Sequence, residues 1–346
     1  MGVEGAQGTS GRHRAQARPV APGNVDLEPR SVAADGVRAA GILKMNTTPR
    51  VSVVMGVFNA ERYLADTIQS ILAQTYDGFE LVMVNDGSRD GSLRIMRQFE
   101  ALDSRVKVIT RGNTGIVGAA NEGIAASRGE FIARHDADDL SEPTRFEKQV
   151  AFLDSHPEVV AVGSRMAIID PYGSPLEISD HKLTHAEIEA ELLCGSGWAL
   201  PQPAAMMRRQ AFERAGRYRD TYLWSEDLDL FLRMAMVGQL ANLAEPLVKW
   251  RRHLGSTNHR HHDRQVQNKR LIIEEAYAAR GLTPPADVRM LVNAHLPPWK
   301  QLCNWGWQAL RHGNARIARL HALAAIKRRP ISFEAWKLAM CAVRGH

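Results

Sequence analysis

The chain has little of what builds a cross-linked or metal-stapled fold. Its three cysteines, Cys194, Cys303 and Cys341, include no C-x-x-C pair. Three thiols cannot all pair within one chain, so the expectation is a reducing compartment with neither a disulfide framework nor a structural zinc site. No apolar run is long enough to span a bilayer, and the N-terminal stretch lacks the apolar core of a signal peptide. A cytoplasmic chain that neither crosses a membrane nor leaves by that route is expected. A P-loop is missing too. Gly112, Gly115 and Gly118 are spaced three apart, which is not the G-x-G-x-x-G that follows a first strand in dinucleotide-binding folds. His181 and His185 lie four apart, but Lys182 stands where a zinc helix needs Glu, so they read as a solvated pair. His253, His259, His261 and His262 read as an exposed linker, and no fixed-period repeat occurs.

What is present is an uneven distribution of charge. The formal net charge is +6. Residues 251–346 hold 17 Lys and Arg against 5 Asp and Glu, and residues 1–50 hold 7 against 4. The middle, 51–250, is therefore acidic. A nucleic-acid binder would place positive charge on its working domain, so no nucleic-acid partner is expected. An acidic centre joined to a basic tail fits a carboxylate-lined metal site and a segment drawn to anionic surfaces.

The first 49 residues are rich in Gly, Ala, Arg and Pro without apolar period and read as a disordered tail. Met45, just before the first strand-like run, is a candidate start, with residues 1–44 either a tail or a start-site error. From there the pattern alternates. Apolar runs at Val51–Val57, Phe79–Val84, Val106–Ile109 and Glu130–Ala133 suit buried parallel strands. Helical periods fall at 60–73, 91–101, 114–127 and 143–154, with Asn59 as the expected cap of the first. This is the β-α-β rhythm of an α/β protein with a doubly wound, mostly parallel sheet. Further on, a strand at Val159–Ile169, a helix from about Glu226 to Val237 and a strand near 240–250 are expected. Helices follow at 263–280, 285–293, 298–312, 314–328 and 332–343.

Ligands of an open parallel sheet bind beyond the carboxyl ends of its strands. Asp86 follows the second strand, and Asp136 and Asp138 follow the fourth. Residues two apart in an extended segment point the same way, so this D-x-D can face one hard cation, Mg²⁺ or Mn²⁺, together with substrate phosphates. An isolated D-x-D is weak evidence, since acidic loops are common. Asn-Asp-Gly-Ser around Asp86 is also ordinary turn chemistry.

Taken in order, the segments VSVVMGVFNAERYLADTIQSILAQTYDGFELVMVNDGSRDGS, then GNTGIVGAANEGIAASRGEFIARHDADDLSEPTRFEKQVAFLDSHPEVVAVGS, then QPAAMMRRQAFERAGRYRDTYLWSEDLDLFLRMA and WRRHLGSTN resemble the family-2 glycosyltransferases. That resemblance covers about residues 51–258. It implies a GT-A catalytic domain over 50–258, with a nucleotide-binding half at 50–140 and an acceptor half at 141–258. A basic helical C-terminal region would occupy 259–346. It also implies roles. Val57, Phe58, Asn59 and Glu61 would line the nucleotide pocket, and Asp86 would read the base, most often uracil. Arg111 and Asn121 would lie near ribose and phosphates. Asp136 and Asp138 would form the D-x-D, with Asp138 the direct metal ligand. Asp227 would be the catalytic base, Glu226 and Gln202 would face the acceptor, and Arg251 and His253 would lie on the donor-phosphate side.

The implied reaction moves a sugar from a nucleotide diphosphate, UDP-linked by expectation, to a glycan or lipid-linked acceptor hydroxyl with inversion. Ser225 is the expected cap of the helix carrying Asp227, whose dipole would favour the ionised carboxylate. Asn85, Gly56, His135, Gln202 and Trp250 depart from the family's usual acid, Pro, Met, His and Tyr, and so bear on the donor's identity. A nucleotidyltransferase on the same fold would want a Gly-rich basic loop after strand one. The chain has Phe58-Asn59-Ala60-Glu61 there. A non-catalytic nucleotide-binding protein would have no use for intact Asp138 and Asp227. The basic C-terminal helices have two readings, packing on the catalytic domain or lying at the inner face of an anionic membrane.

Overall fold

The computed structural model describes residues 48–255, 262–284 and 296–345. The expected tail up to residue 47 and the expected helix at 285–293 lie outside them. The first strands and helices alternate as expected: β1 (Val51–Val57), α1 (Glu61–Leu72), β2 (Phe79–Asp86), α2 (Ser92–Leu102), β3 (Val106–Arg111), α3 (Gly115–Ala125) and β4 (Phe131–Arg134). Then come β5 (Leu140–Ser141), α4 (Arg145–Ser155), β6 (Val159–Ile169), β7 (Pro175–Ile178), α5 (His185–Leu193), β8 (Met206–Arg208), α6 (Arg209–Arg214), α7 (Glu226–Met234) and β9 (Gln239–Arg251). The C-terminal helices are α8 (His262–Ala279), α9 (Pro298–Arg311), α10 (Ala315–Arg328) and α11 (Phe333–Arg344).

The strands form one nine-stranded sheet in the order β3-β2-β1-β4-β8-β6-β9-β5, with β7 paired to β6. Its first half, β3 to β4, is parallel throughout. Beyond β4 the pairing is mixed: β8 runs antiparallel to both β4 and β6, while β6 and β9 are parallel. The short strands β5, β7 and β8 carry too few residues to show a period of two in the sequence.

Every residue of β2 is buried, and so are all but Gly56 in β1, because helices cover both faces. One core joins β1, β2 and β4 to α1, α2 and α4 through Leu64, Ile68, Phe146 and Leu153. The other lies under α3 and joins α5, α6 and α7 through Ile124, Ile188, Phe212 and Phe231. Helix α3 sits close to the sheet because Gly123 leaves room: a Cβ built there would stand 2.6 Å from Val54 Cγ1.

The packing reading of the C-terminal helices holds in part. Helices α9 to α11 enclose their own core of Cys303, Trp305, Ala322, Ala335 and Leu338, which continues onto Ile168 and Leu176 of β6 and β7. Polar contacts lock the same junction. His321 Nε2 meets Asp170 Oδ2 at 2.6 Å, both fully buried, and His312 lies 3.0 Å from the Leu176 carbonyl. No helix among the described residues is long and apolar enough to cross a membrane.

Candidate functional site

The carboxyl ends of β1, β2 and β4 open at one edge of the sheet, and most of the expected residues gather there. The loop after β1 is held by the loop after β2. Asn59 does not cap α1, as its place in the sequence suggested. It adopts φ +52°, and its Oδ1 accepts from the Arg89 backbone N–H at 2.8 Å. The N-terminus of α1 is instead satisfied across the chain, with Ser92 Oγ accepting from the Ala60 N–H and Asp90 Oδ2 from the Glu61 N–H. Glu61 returns the bond, its Oε2 accepting from the Gly91 N–H at 2.9 Å. Val57 is buried, whereas Phe58 is 50% exposed at the mouth.

Asp86 is buried, and both its oxygens are engaged within the fold. Oδ1 accepts from the Thr114 N–H and Oδ2 from the Gly115 N–H, each at 2.9 Å, so the carboxylate holds the start of α3. Arg111 lies 3.8 Å from Asp86 and pairs with Glu122. The turn chemistry is real as well: Gly87 has φ +74°, and a Cβ there would meet the Asn113 nitrogen at 2.9 Å. Asn121 spans to the acceptor half, its amide donating to the Tyr218 carbonyl at 2.9 Å. Gln202 donates to the Tyr218 hydroxyl at 3.1 Å. These two residues thus brace the segment that leads to α7.

At the end of β4 the D-x-D is bound to the end of β9. His253 Nε2 lies 2.7 Å from Asp138 Oδ2. Its Nδ1 accepts from the Gly255 N–H, which leaves Nε2 to donate to Asp138. Arg251 donates from Nε to the Asp138 carbonyl and from its backbone N–H to Asp139 Oδ1, both at 2.8 Å. Tyr63 of α1 closes this side. The Arg251 guanidinium lies 4.6 Å from its ring centroid, and the His253 ring 5.4 Å away. His135, at the departure from the usual Met, is fully buried and bonded to Ser141 Oγ. Burial and the nearby Arg145 push its pKa down to about 3, so it is neutral.

The N-terminus of α7 brings a second acidic pair towards the first. Burial and the Asp138 charge raise Asp136, which also feels Asp227. Burial and then Asp227 raise Glu226, and Asp136 adds to that shift. Asp227 is raised by burial, against the pull of its bond from the Leu228 N–H and of Lys269. Burial thus works against the helix dipole and leaves the Asp227 carboxyl above its ordinary pKa. Ser225 does not cap the helix either: its Oγ is buried without a partner. Gly197 backs onto the carboxylate, where a Cβ would stand 3.2 Å from Asp227 Oδ2. Asp229, the next acid along, is clamped by Arg219 and Arg233 and so serves the fold.

Residues 52–216 match the family model described as Glycosyl transferase family 2. The putative glycosyltransferase EpsE of Bacillus subtilis (strain 168) is 34% identical over 263 residues, 73% of this chain and 92% of that protein. The chain is a family-2 glycosyltransferase. The amylovoran biosynthesis glycosyltransferase AmsE of Erwinia amylovora is 31% identical over 211 residues, 58% of this chain and 75% of that protein. Among solved structures, S. aureus TarS 1–349 aligns with a TM-score of 0.51 at 16% identity, over 86% of this chain and 92% of that one. Its likeness bears on the fold alone, which is GT-A as the sequence resemblance implied.

In this glycosyltransferase, sequence reasoning passed over three residues of the site. Arg134, buried at the end of β4, donates to the Val54 carbonyl and tempers the charge of Asp136 and Glu226. An arginine inside an otherwise apolar strand was the available signal. Asp139 is buried, with Oδ2 unpartnered, and closes the acidic cluster Asp136-Ala137-Asp138-Asp139, of which only the D-x-D was assigned a role. Tyr63 left no signal, because its meeting with Arg251 spans most of the domain.

Proposed function

We propose that the glycosyltransferase moves a sugar from a nucleotide diphosphate to an acceptor hydroxyl with inversion, Asp227 acting as base, in the making of a surface polysaccharide or glycolipid. The convergence of Asp136 and Asp138 from β4 with Asp227 from α7 carries this reading. Asp136 is raised by burial and then by the charges of Asp138 and Asp227, so this end of the site is short of positive charge. Among the described residues no three His, Cys, Asp or Glu form a metal cage. The acid pair at β4 therefore fits Mg²⁺ or Mn²⁺ bound through one or two carboxylates and the donor's phosphates. Asp138 would hold the ion, with Asp136 beside it. The ion's contribution when bound would be to offset the charge growing on the leaving diphosphate.

The chain's own groups supply the rest. Arg251 and His253, tied to Asp138, flank the donor phosphates. Val57, Phe58, Asn59 and Glu61 form the rim where the nucleotide enters, with Asp86 and Arg111 below it. Asp227 takes the proton of the acceptor hydroxyl as its oxygen bonds to C1 and the C1–O bond to diphosphate breaks. A carboxylate raised by burial is a stronger base than a solvated one. Glu226, neutral beside it, can donate a hydrogen bond to the acceptor, and Asn121 and Gln202 hold that wall through Tyr218. The relative AmsE supports the polysaccharide setting by its name in amylovoran biosynthesis. A nucleotide-sugar screen, read by release of nucleoside diphosphate with Mg²⁺, Mn²⁺ or chelator, tests the reading. UDP-GlcNAc, with which TarS is crystallised, is a natural first donor. Turnover of no nucleotide sugar, or turnover unaffected by chelator, would overturn it in whole or in its metal.

A further inference from the structure

Helix α11 presents an outward row that a solvated helix does not carry. Phe333, Trp336, Lys337, Met340, Val343 and Arg344 recur at spacings of three and four, and all are exposed. Phe333 is 82% and Val343 73% exposed, and Ile331 stands out just before them. The opposite face, Ala335, Leu338 and Ala342, is the one that packs. Beside it, α10 turns out Arg316, Arg319, Leu320, Leu323 and Lys327. Arg319 Nε donates to the Ala342 carbonyl, which sets the two rows side by side. Across residues 296–345 there are nine Lys and Arg and a single acid, Glu334.

We infer that the outer face of α10 and α11 docks on an anionic lipid bilayer, its apolar side chains entering the interface and its cations meeting the headgroups. The charge decides the occupant. A second copy meeting this face through a two-fold axis would set cations against cations, because such an interface joins the same patch to itself. An anionic surface meets the same charge favourably, and aromatic and aliphatic side chains flanked by Lys and Arg are the make-up of helices that lie in a membrane interface. The bundle also packs against Trp250, near the end of β9, and Leu254, the residue after His253. A bilayer under these helices is therefore mechanically joined to the carboxylate site. The inference stands on the helices alone and does not depend on the reading of that site.

The full chain should co-sediment with vesicles of phosphatidylcholine and phosphatidylglycerol, far less with phosphatidylcholine alone, and less again at high salt. Phe333→Ser with Trp336→Ser should weaken binding by at least about tenfold, as lost interfacial burial requires. Lys337→Glu should weaken it by about fivefold or more, since each basic residue near an anionic surface counts for that much. Trp336→Phe should abolish a blue shift of tryptophan emission on adding vesicles. Circular dichroism and thermal melting should match wild type for all three, because the side chains are exposed. No sedimentation of the wild-type chain with anionic vesicles at low salt would overturn the inference, as would undiminished binding by the folded serine variant. A dimer that the serine pair converts to monomer would also overturn it and assign the face to a second copy.

Discussion

Asp227 is the second residue of α7, and its carboxylate accepts from the Leu228 N–H immediately ahead of it. Asp227→Asn keeps the shape and removes the base. Transfer to acceptor should fall by roughly 10²–10⁴-fold, the range for a lost general base, with nucleotide binding unchanged by calorimetry. Near-normal transfer would return the role to Glu226, since Asp229 is held by two arginines. Asp138→Asn should instead abolish the Mn²⁺-dependent part of nucleoside diphosphate binding, because an amide is a poor ligand for a hard cation. Unchanged affinity with Mn²⁺ would sink the metal assignment. His181 offers a cleaner test of pH linkage, being outside the site. Read from the sequence as half of a solvated pair, it is instead buried beside Ser179 Oγ and Trp198, and burial pushes its pKa down to about 4. A lowered imidazole means the folded chain binds fewer protons than the unfolded one between about pH 6.5 and 4. Its contribution is intact above that window and is lost as pH falls through it. His181→Gln should flatten the acid side of a denaturation-versus-pH curve over that range.

At the level of elements, two contacts set how the nucleotide edge is built. The start of α1 is capped by Asp90, which is part of the loop before α2 and not a neighbour in sequence. Its hydrogen bonds lower its pKa against burial, so that part of the stability is present above the usual carboxylate range and is lost as pH falls below it. Asp90→Ala should cost about 1 kcal/mol, the usual worth of a lost cap, and should loosen hydrogen-exchange protection at Ala60 and Glu61. Helix α3 against β1 is a packing contact. Gly123→Ala would drive a methyl into Val54 and should destabilise by about 1–3 kcal/mol in urea unfolding, as overpacking of a fitted core does. A neutral result would mean that α3 can shift away from the sheet without loss.

For the molecule as a whole, the junction between the sheet and the C-terminal helices joins an apolar core to a fully buried polar pair. Asp170 accepts from the Tyr172 and Ser174 N–H groups through Oδ1 and meets His321 through Oδ2. Tyr172 in turn lies between the His321 ring and the Arg62 guanidinium of α1. His321→Leu would leave Asp170 buried with one oxygen unmatched. Removing one partner of such a pair costs about 3–5 kcal/mol, so α9–α11 should come off before the sheet unfolds. Limited proteolysis should then cut near residue 296 in the variant but not in wild type. Truncating the chain at that point would also uncover Ile168, Leu176 and Trp250, so a deletion removes packing together with charge.

The alternation of apolar runs with helical periods determined the first half of the sheet, since parallel strands buried on both faces must be apolar throughout. Position along that alternation also set Asp86, Asp136 and Asp138 at strand ends, because the side of the sheet on which loops emerge follows from chain direction. The resemblance to family-2 glycosyltransferases added Asp227, Arg251 and His253. Only the tertiary structure decided how these groups are partnered. The bond between His253 and Asp138 spans 115 residues, and the capping of α1 by Asp90 spans 29. Contacts of that separation depend on the closed sheet and leave no local pattern. The raised carboxyls of Asp136, Glu226 and Asp227 are likewise a property of burial and convergence: the sequence holds the acids, and folding alone sets the dielectric and the neighbours that shift them.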